Sequence, residues 1–227
     1  MDADTRKLLF TVPGKDQETM GAFAQEMVQH NAHAGQVTEL IMDMSTSFIA
    51  GARRFFFGAR VIFDHFHIMQ LVGKAVDAVR KGLVANGADL TGGMWAIRGN
   101  EWTRSEKQQA DRRRFIKAYP ILGRAIGLRE SLQDILAEND AEMLKWWCGW
   151  ASRSRLKPFG QLAKSIKSHW EGIIAFMETR LTNAAMEAVN GVLQLAKRMA
   201  RGFRNFTYFR TMAYLKAGRL HLNIPQI

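Results

Sequence analysis

The chain has a single cysteine, Cys148, in 227 residues. That excludes an internal disulfide and a zinc site built from cysteine thiolates. It also lacks any run of about 18 apolar residues, the length a membrane-spanning helix needs, so no segment is expected to cross a bilayer. The N-terminus, MDADTRKLLF, carries acids where a signal peptide requires a basic flank, and no long apolar stretch follows it. A reducing cytoplasm is the expected setting, with no membrane among the partners. Repeats and low-complexity tracts are absent. No Gly-rich phosphate loop follows the first predicted strand, which leaves a doubly wound phosphohydrolase without support.

Acids are scarce as well. Asp and Glu number 21 against 32 Lys and Arg, a formal surplus of +11. Such a surplus attracts polyanions, so nucleic acid heads the expected partners. The shortage is steepest at the end of the chain, where one acid, Glu187, stands among eight Lys and Arg between Thr179 and Ile227. What is abundant is apolar: 47% of the residues, enough for a substantial core.

Hydrophobic periodicity divides the chain. Lys7 to Val12 reads as a short strand closed by Pro13-Gly14, and Asp16 to Gln29 as a helix. Val37 to Met42 is an apolar run ending at Asp43, with a helix from about Ser45 to Phe57 after it. A second run, Arg60 to Phe63, ends at Asp64, and a helix follows to about Lys81. Strand, helix, strand and helix with short connections make a βαβ unit, whose strands should be parallel neighbours. Beyond Gly82 the alternation stops. A loose stretch marked by Gly87, Gly92, Gly93 and Gly99 precedes helical patterns at 104–118, 120–138, 139–152 and 159–179. A last strong helix covers 183–201.

Ligands of open α/β sheets bind outside the carboxyl ends of the parallel strands. Asp43 and Asp64 each hold the first polar position there, and adjacent strands lie about 4.8 Å apart. Paired carboxylates repel unless a cation or proton lies between them, and hard oxygen ligands favour magnesium or manganese. Either Asp could instead cap the helix that follows it. Around the late helix, Asn183, Glu187, Asn190, Gln194, Lys197 and Arg201 form one polar stripe. Leu181, Ala185, Val189, Val192, Ala196 and Met199 are expected to face a core. A lone glutamate among amides and bases suits a metal ligand beside a phosphate backbone; an ordinary solvated face is the plainer alternative.

Three motifs occur in order: Asp-Met-Ser after a strand, Asp-x-Phe-His after the next, and Thr-Asn-x-x-x-Glu-x-x-Asn opening a late helix. With the stretches LIMDMSTSFIAGARRFFFGARVIFDHFHIMQLVGKAVDAVRK and TNAAMEAVNGVLQLAKRMARGFRNFTYFRTMAYL, they resemble DDE transposases of the ISL group of insertion sequences. The resemblance covers essentially the whole chain. It implies an α/β fold with an RNase H-like core interrupted by an all-helical insertion, and DNA cleavage and strand transfer during transposition with Mg2+ or Mn2+. Asp43 matches the second catalytic acid and Glu187 the third, both as metal ligands. Asp64 and His67 match an Asp-x-x-His feature after the fifth strand. Asn183, Asn190 and Lys197 match positions that line the glutamate helix, where they would touch DNA or position the glutamate. Arg198, Arg201 and Arg204, with Phe203, Phe206 and Tyr208, make a basic and aromatic tail suited to phosphate and base contacts at transposon ends and target; a structural role for the tail is the alternative.

Only one strand precedes the first helix, so the resemblance implies an N-terminally truncated core lacking the first Asp. Asp2 and Asp4 would lie at the opposite end of the sheet from Asp43. The expected organisation is a partial core over 1–81, a helical insertion over 82–178 and a C-terminal core helix with a basic tail over 179–227. A non-catalytic DNA-binding remnant is the alternative function. A second copy of the chain or an upstream transposase fragment is an open partner.

Overall fold

The computed structural model describes residues 1–91 and 105–220. The glycine-marked stretch through Gly92, Gly93 and Gly99 lies outside the described residues. Two compact units emerge: Met1–Asp64 together with the chain from Leu181 onward, and His65–Arg180. Among the described residues no helix is long and apolar enough to cross a membrane.

The first unit holds a parallel pair of strands, β1 (Glu39–Met42) and β2 (Arg60–Phe63), in register Glu39↔Arg60 to Met42↔Phe63. The βαβ expectation is met. Helix α1 (Gln17–Gln29) starts at Asp16, whose carboxylate accepts the Thr19 amide in a capping box. It packs against α2 (Thr46–Phe55), which connects the strands. Gly21 and Gly51 permit this approach. A Cβ on Gly21 would meet the Phe55 ring at 2.7 Å, and one on Gly51 would meet Met20 at the same distance. Phe10, Phe23 and Phe56 stack in series at 5.8 and 5.7 Å.

The expected strand at Lys7–Val12 is not formed, and the sheet of the described residues has two strands. The α/β expectation is therefore met only by this small sheet in a mostly helical chain. The reason is the partner the segment finds. The Leu8 amide donates to the Ala217 carbonyl at 2.9 Å, and its side chain is buried with Leu193, Ala213 and Ala217. It is held by two late helices, α9 (Ala184–Met199) and α10 (Phe206–Ala217), rather than by a strand.

That packing also corrects the inward face of α9. Leu193 is buried, with Met186 and Val189 packed against it, whereas Val192 is 47% and Met199 77% exposed. Val189 faces inward as expected; helix α10 covers the stripe Met186, Val189 and Leu193, which shifts the buried face from Val192 towards Leu193.

The second unit is all helix among the described residues: α3 (His65–Ala85), α4 (Glu106–Ala118), α5 (Pro120–Glu138), α6 (Ala141–Arg153), α7 (Lys157–Ser168) and α8 (Trp170–Thr179). Proline at its first position opens α5, and left-handed Asn139 ends it. Trp147 of α6 is fully buried and donates its indole N–H to the Leu128 carbonyl at 2.8 Å. The single helix expected over 159–179 is broken at His169. Ser168 Oγ donates to the Ser165 carbonyl, which also lies 2.8 Å from His169 Nδ1. Such side-chain bonds compete with the helical ladder and end α7.

Candidate functional site

The carboxyl ends of β1 and β2 build the site from the backbone outward. Asp43 and Asp64 are the next residues after the paired Met42 and Phe63, so they stand side by side across the two strands. The Asp64 amide donates to the Met42 carbonyl at 3.2 Å, carrying the pairing one residue past β2. Half-buried Asp43 accepts the Ser45 amide on Oδ1 at 2.9 Å, a turn bond that sets the path into α2.

Asp64 is 4% exposed, and a buried carboxylate requires donors. One of them comes from 119 residues away: the Asn183 amide donates to Asp64 Oδ2 at 3.2 Å. Asn183 is the N-cap of α9, and its carbonyl accepts the Glu187 amide at 2.9 Å. The bond thus fixes the start of the helix that carries Glu187 to the end of β2. Glu187 is exposed in the first turn of α9, where the helix dipole favours a negative charge by about 0.3–1 kcal/mol.

The structure therefore sets Asp43 beside Asp64, bonds Asp64 to Asn183, and puts Glu187 one turn into the same helix. Asn190 is exposed further along α9. Lys197 is exposed ten residues after Glu187, about 15 Å along the helix axis, too far to share a phosphate with it. Arg198, Arg201 and Arg204 are also exposed, around the C-terminal end of α9. His67 is half-buried in the first turn of α3, in the all-helical unit. Sequence reasoning missed that Asp64 acts on Asn183 through the backbone. No local pattern announces a bond across so long an interval.

Among the described residues no three His, Cys, Asp or Glu side chains are grouped to hold a metal ion. Asp43 has one oxygen engaged by Ser45, and Asp64 is engaged by Asn183. Asp43 and Asp64 are hard oxygen ligands of the kind a divalent cation takes, but two carboxylates are fewer ligands than such an ion needs.

The chain belongs to the ISL3-type DDE transposase family: that family, described as "Transposase", matches residues 1–213. It is similar to the transposase for insertion sequence element IS1557 of Mycobacterium tuberculosis, 26% identical over 241 residues, covering 90% of this chain and 53% of that protein. It is also similar to the transposase for insertion sequence element IS1001 of Bordetella parapertussis, 24% identical over 221 residues, covering 92% of this chain and 54% of that protein. The chain thus spans about half the length of the curated relatives it matches. No solved structure matches.

Proposed function

We propose that this chain carries part of the DNA-handling machinery of an insertion-sequence transposase, with transposon-end and target DNA as its substrates. In this reading Asp43 and Glu187 are two of the catalytic carboxylates. Asp64 is a positioning residue that ties the glutamate helix to the sheet edge. The Asp64–Asn183 bond is the observation that carries the reading, because it joins the acidic edge of the sheet to the helix bearing Glu187. The unit His65–Arg180 begins directly after Asp64 and ends shortly before Asn183. We read it as the insertion that interrupts an RNase H-like core, so the bond also fastens the two ends of the interruption.

A divalent cation, Mg2+ or Mn2+, would supply charge neutralisation and water activation in DNA phosphodiester chemistry. Two acids hold such an ion poorly, and metal placement is most of that catalysis. The chain by itself is therefore expected to bind DNA without cutting it. Four exposed bases around the end of α9, Lys197, Arg198, Arg201 and Arg204, support this DNA-binding reading. The test is single-turnover incubation with supercoiled plasmid in Mg2+ or Mn2+, read by gel. Binding without nicking is expected. A nick that needs Mn2+ and disappears in Glu187→Gln would show that the two acids suffice, and would overturn the non-cutting part of the reading.

A further inference from the structure

The hairpin of α6 and α7 has a strongly basic exterior. The two helices pack directly on each other. Between Ala141 and Glu171 six Lys and Arg stand against two acids, Glu142 and Glu171. The six cations, Lys145, Arg153, Arg155, Lys157, Lys164 and Lys167, are all exposed. Among the described residues no ion pair occupies any of them. Asp140, just before α6, is engaged as its N-cap by the Met143 amide.

The same helix presents aromatic rings to solvent. Trp146 is 52% exposed, more than any other large apolar side chain described in the helical unit. Its ring centroid lies 5.4 Å from that of half-buried Trp150, with the planes tilted by 40°. Trp146, Trp150 and Arg153 are spaced by four and three residues, so they share one stripe of α6. Gly149 adds no side chain to this face, and the Arg153 guanidinium lies 3.4 Å from where its Cβ would stand. A groove of about 450 Å³ that Gly149 also lines brings in Lys145, Lys167 and half-buried Trp170, with Glu142 as its acid.

Flat rings stack any base, and cations beside them follow the phosphates. Together they hold unpaired nucleic acid with little regard for sequence. A duplex keeps its base faces stacked inside, so it would use the cations and leave Trp146 idle. A second copy of the chain docking by this same face would set six like charges against these six.

We infer that the outer face of α6 binds an unpaired DNA strand, with Trp146 stacking a base and Lys145 and Arg153 on its phosphates. The inference rests on the DNA-handling reading and deepens it by giving the unpaired strand a place on the helical unit.

The test uses the full chain and a short fluorescent oligothymidylate, with affinity followed by anisotropy across a salt series and folding checked by circular dichroism. Trp146→Ala should weaken binding about tenfold, the scale of one lost stacked base, while Trp146→Phe keeps a flat ring and most of the affinity. Equal losses in the two would overturn the stacking role. The double variant Lys145→Ala with Arg153→Ala should lower the slope of log affinity against log salt by about 1.4, two phosphate contacts' worth on a single strand. Oligonucleotide binding unchanged in these variants, but lost when Arg198, Arg201 and Arg204 are all replaced by Ala, would overturn the assignment to α6 and leave the DNA reading standing. Duplex binding with no oligonucleotide binding would do the same. If Trp146→Ala binds the oligonucleotide normally but sediments as a smaller species than the unaltered chain, the face is a contact between copies and the inference is overturned. Failure of the unaltered chain to bind either DNA would overturn both the inference and the reading beneath it.

Discussion

The two units are built to different depths. Of the twelve largest fully buried side chains among the described residues, ten belong to the helical unit, and only Phe56 and Ile62 belong to the sheet-bearing one. Exposed large apolar residues run the other way: Phe57 at 88%, Met199 at 77%, Tyr208 at 59% and Val28 at 56% all lie in the sheet-bearing unit. One region is a well-filled helix bundle whose interior comes from a continuous stretch of chain. The other is assembled from two distant stretches around a two-stranded sheet and a four-residue cluster at Leu8, Leu193, Ala213 and Ala217. Two strands alone are marginal in water. The comparison therefore teaches that the candidate site sits on the thinner framework, and that single contacts such as Asp64–Asn183 weigh more there.

The sharpest way to break that comparison is to empty each core in turn. Trp147→Ala removes a fully buried indole and its bond to Leu128 and should cost about 3–5 kcal/mol. Leu193→Ala should cost nearer 2 kcal/mol, because Leu193 keeps 8% exposure and its cluster is small. Urea titrations followed by circular dichroism measure both. Equal losses would mean that the sheet-bearing unit is as tightly packed as the bundle.

The next effect belongs to the anchor. Asp64→Ala strips the half-buried Asn183 amide of an acceptor, a loss of about 1–2 kcal/mol, while Asp64→Asn keeps an oxygen in place and should restore most of it. Shifts in the urea midpoint distinguish the two. If Asp64→Ala and Asp64→Asn were equally harmful, the carboxylate's charge rather than its bond to Asn183 would be what the site needs.

How much of this was legible follows from where each signal lies. Helix α5 is punctuated in its own sequence, by Pro120 at one end and Asn139 at the other, and its predicted span 120–138 is the one observed. The strand Arg60–Phe63 and its parallel pairing were legible as well, because short connections leave a βαβ unit little choice. Hence the adjacency of Asp43 and Asp64 was readable in advance. The segment Lys7–Val12 was not, since its pattern suits any extended backbone and its partner, the Ala217 carbonyl, is far away in sequence. Helix α9 carries apolar residues on two overlapping stripes, and only the position of α10 chooses between them. The break at His169 was within reach: serines and a histidine that can bond the same carbonyl sit three and four residues apart.

A smaller effect tests the basic end of α9. Arg201 holds φ +51°, a left-handed conformation that costs a residue with a Cβ about 1 kcal/mol and glycine almost nothing. Arg201 also places a cation near the end of α9, worth about 0.3–1 kcal/mol in the other direction. Arg201→Gly should therefore be neutral to slightly stabilising, within about 0.5 kcal/mol, while weakening duplex binding and lowering its salt slope by about 0.9. Stability gained with DNA affinity unchanged would remove Arg201 from the contacts proposed here.

The smallest effect is one of pH, and it returns to the contrast between the units. Lys81, followed by Arg80, holds the Asp77 carboxyl of the bundle below its ordinary value of 3.8. A lowered folded value means that the charged form is favoured by folding, so its contribution is complete above that ordinary value and is lost as pH falls from there through the lowered folded value. Lys81 is well exposed, and solvent screening limits the contribution to about 1 kcal/mol or less. Asp16 of the sheet-bearing unit is lowered too, chiefly by the backbone N–H of Thr19, so both units lose support over the same acid range. Asp77→Asn should flatten the decline in the bundle's melting temperature below pH 4 and leave the value near pH 7 slightly reduced. Because the bundle has the deeper core, the sheet-bearing unit should still lose its structure first on acidification. Simultaneous loss of both, followed by amide exchange across the pH series, would show that they melt as one cooperative body and that the difference in depth does not govern acid unfolding.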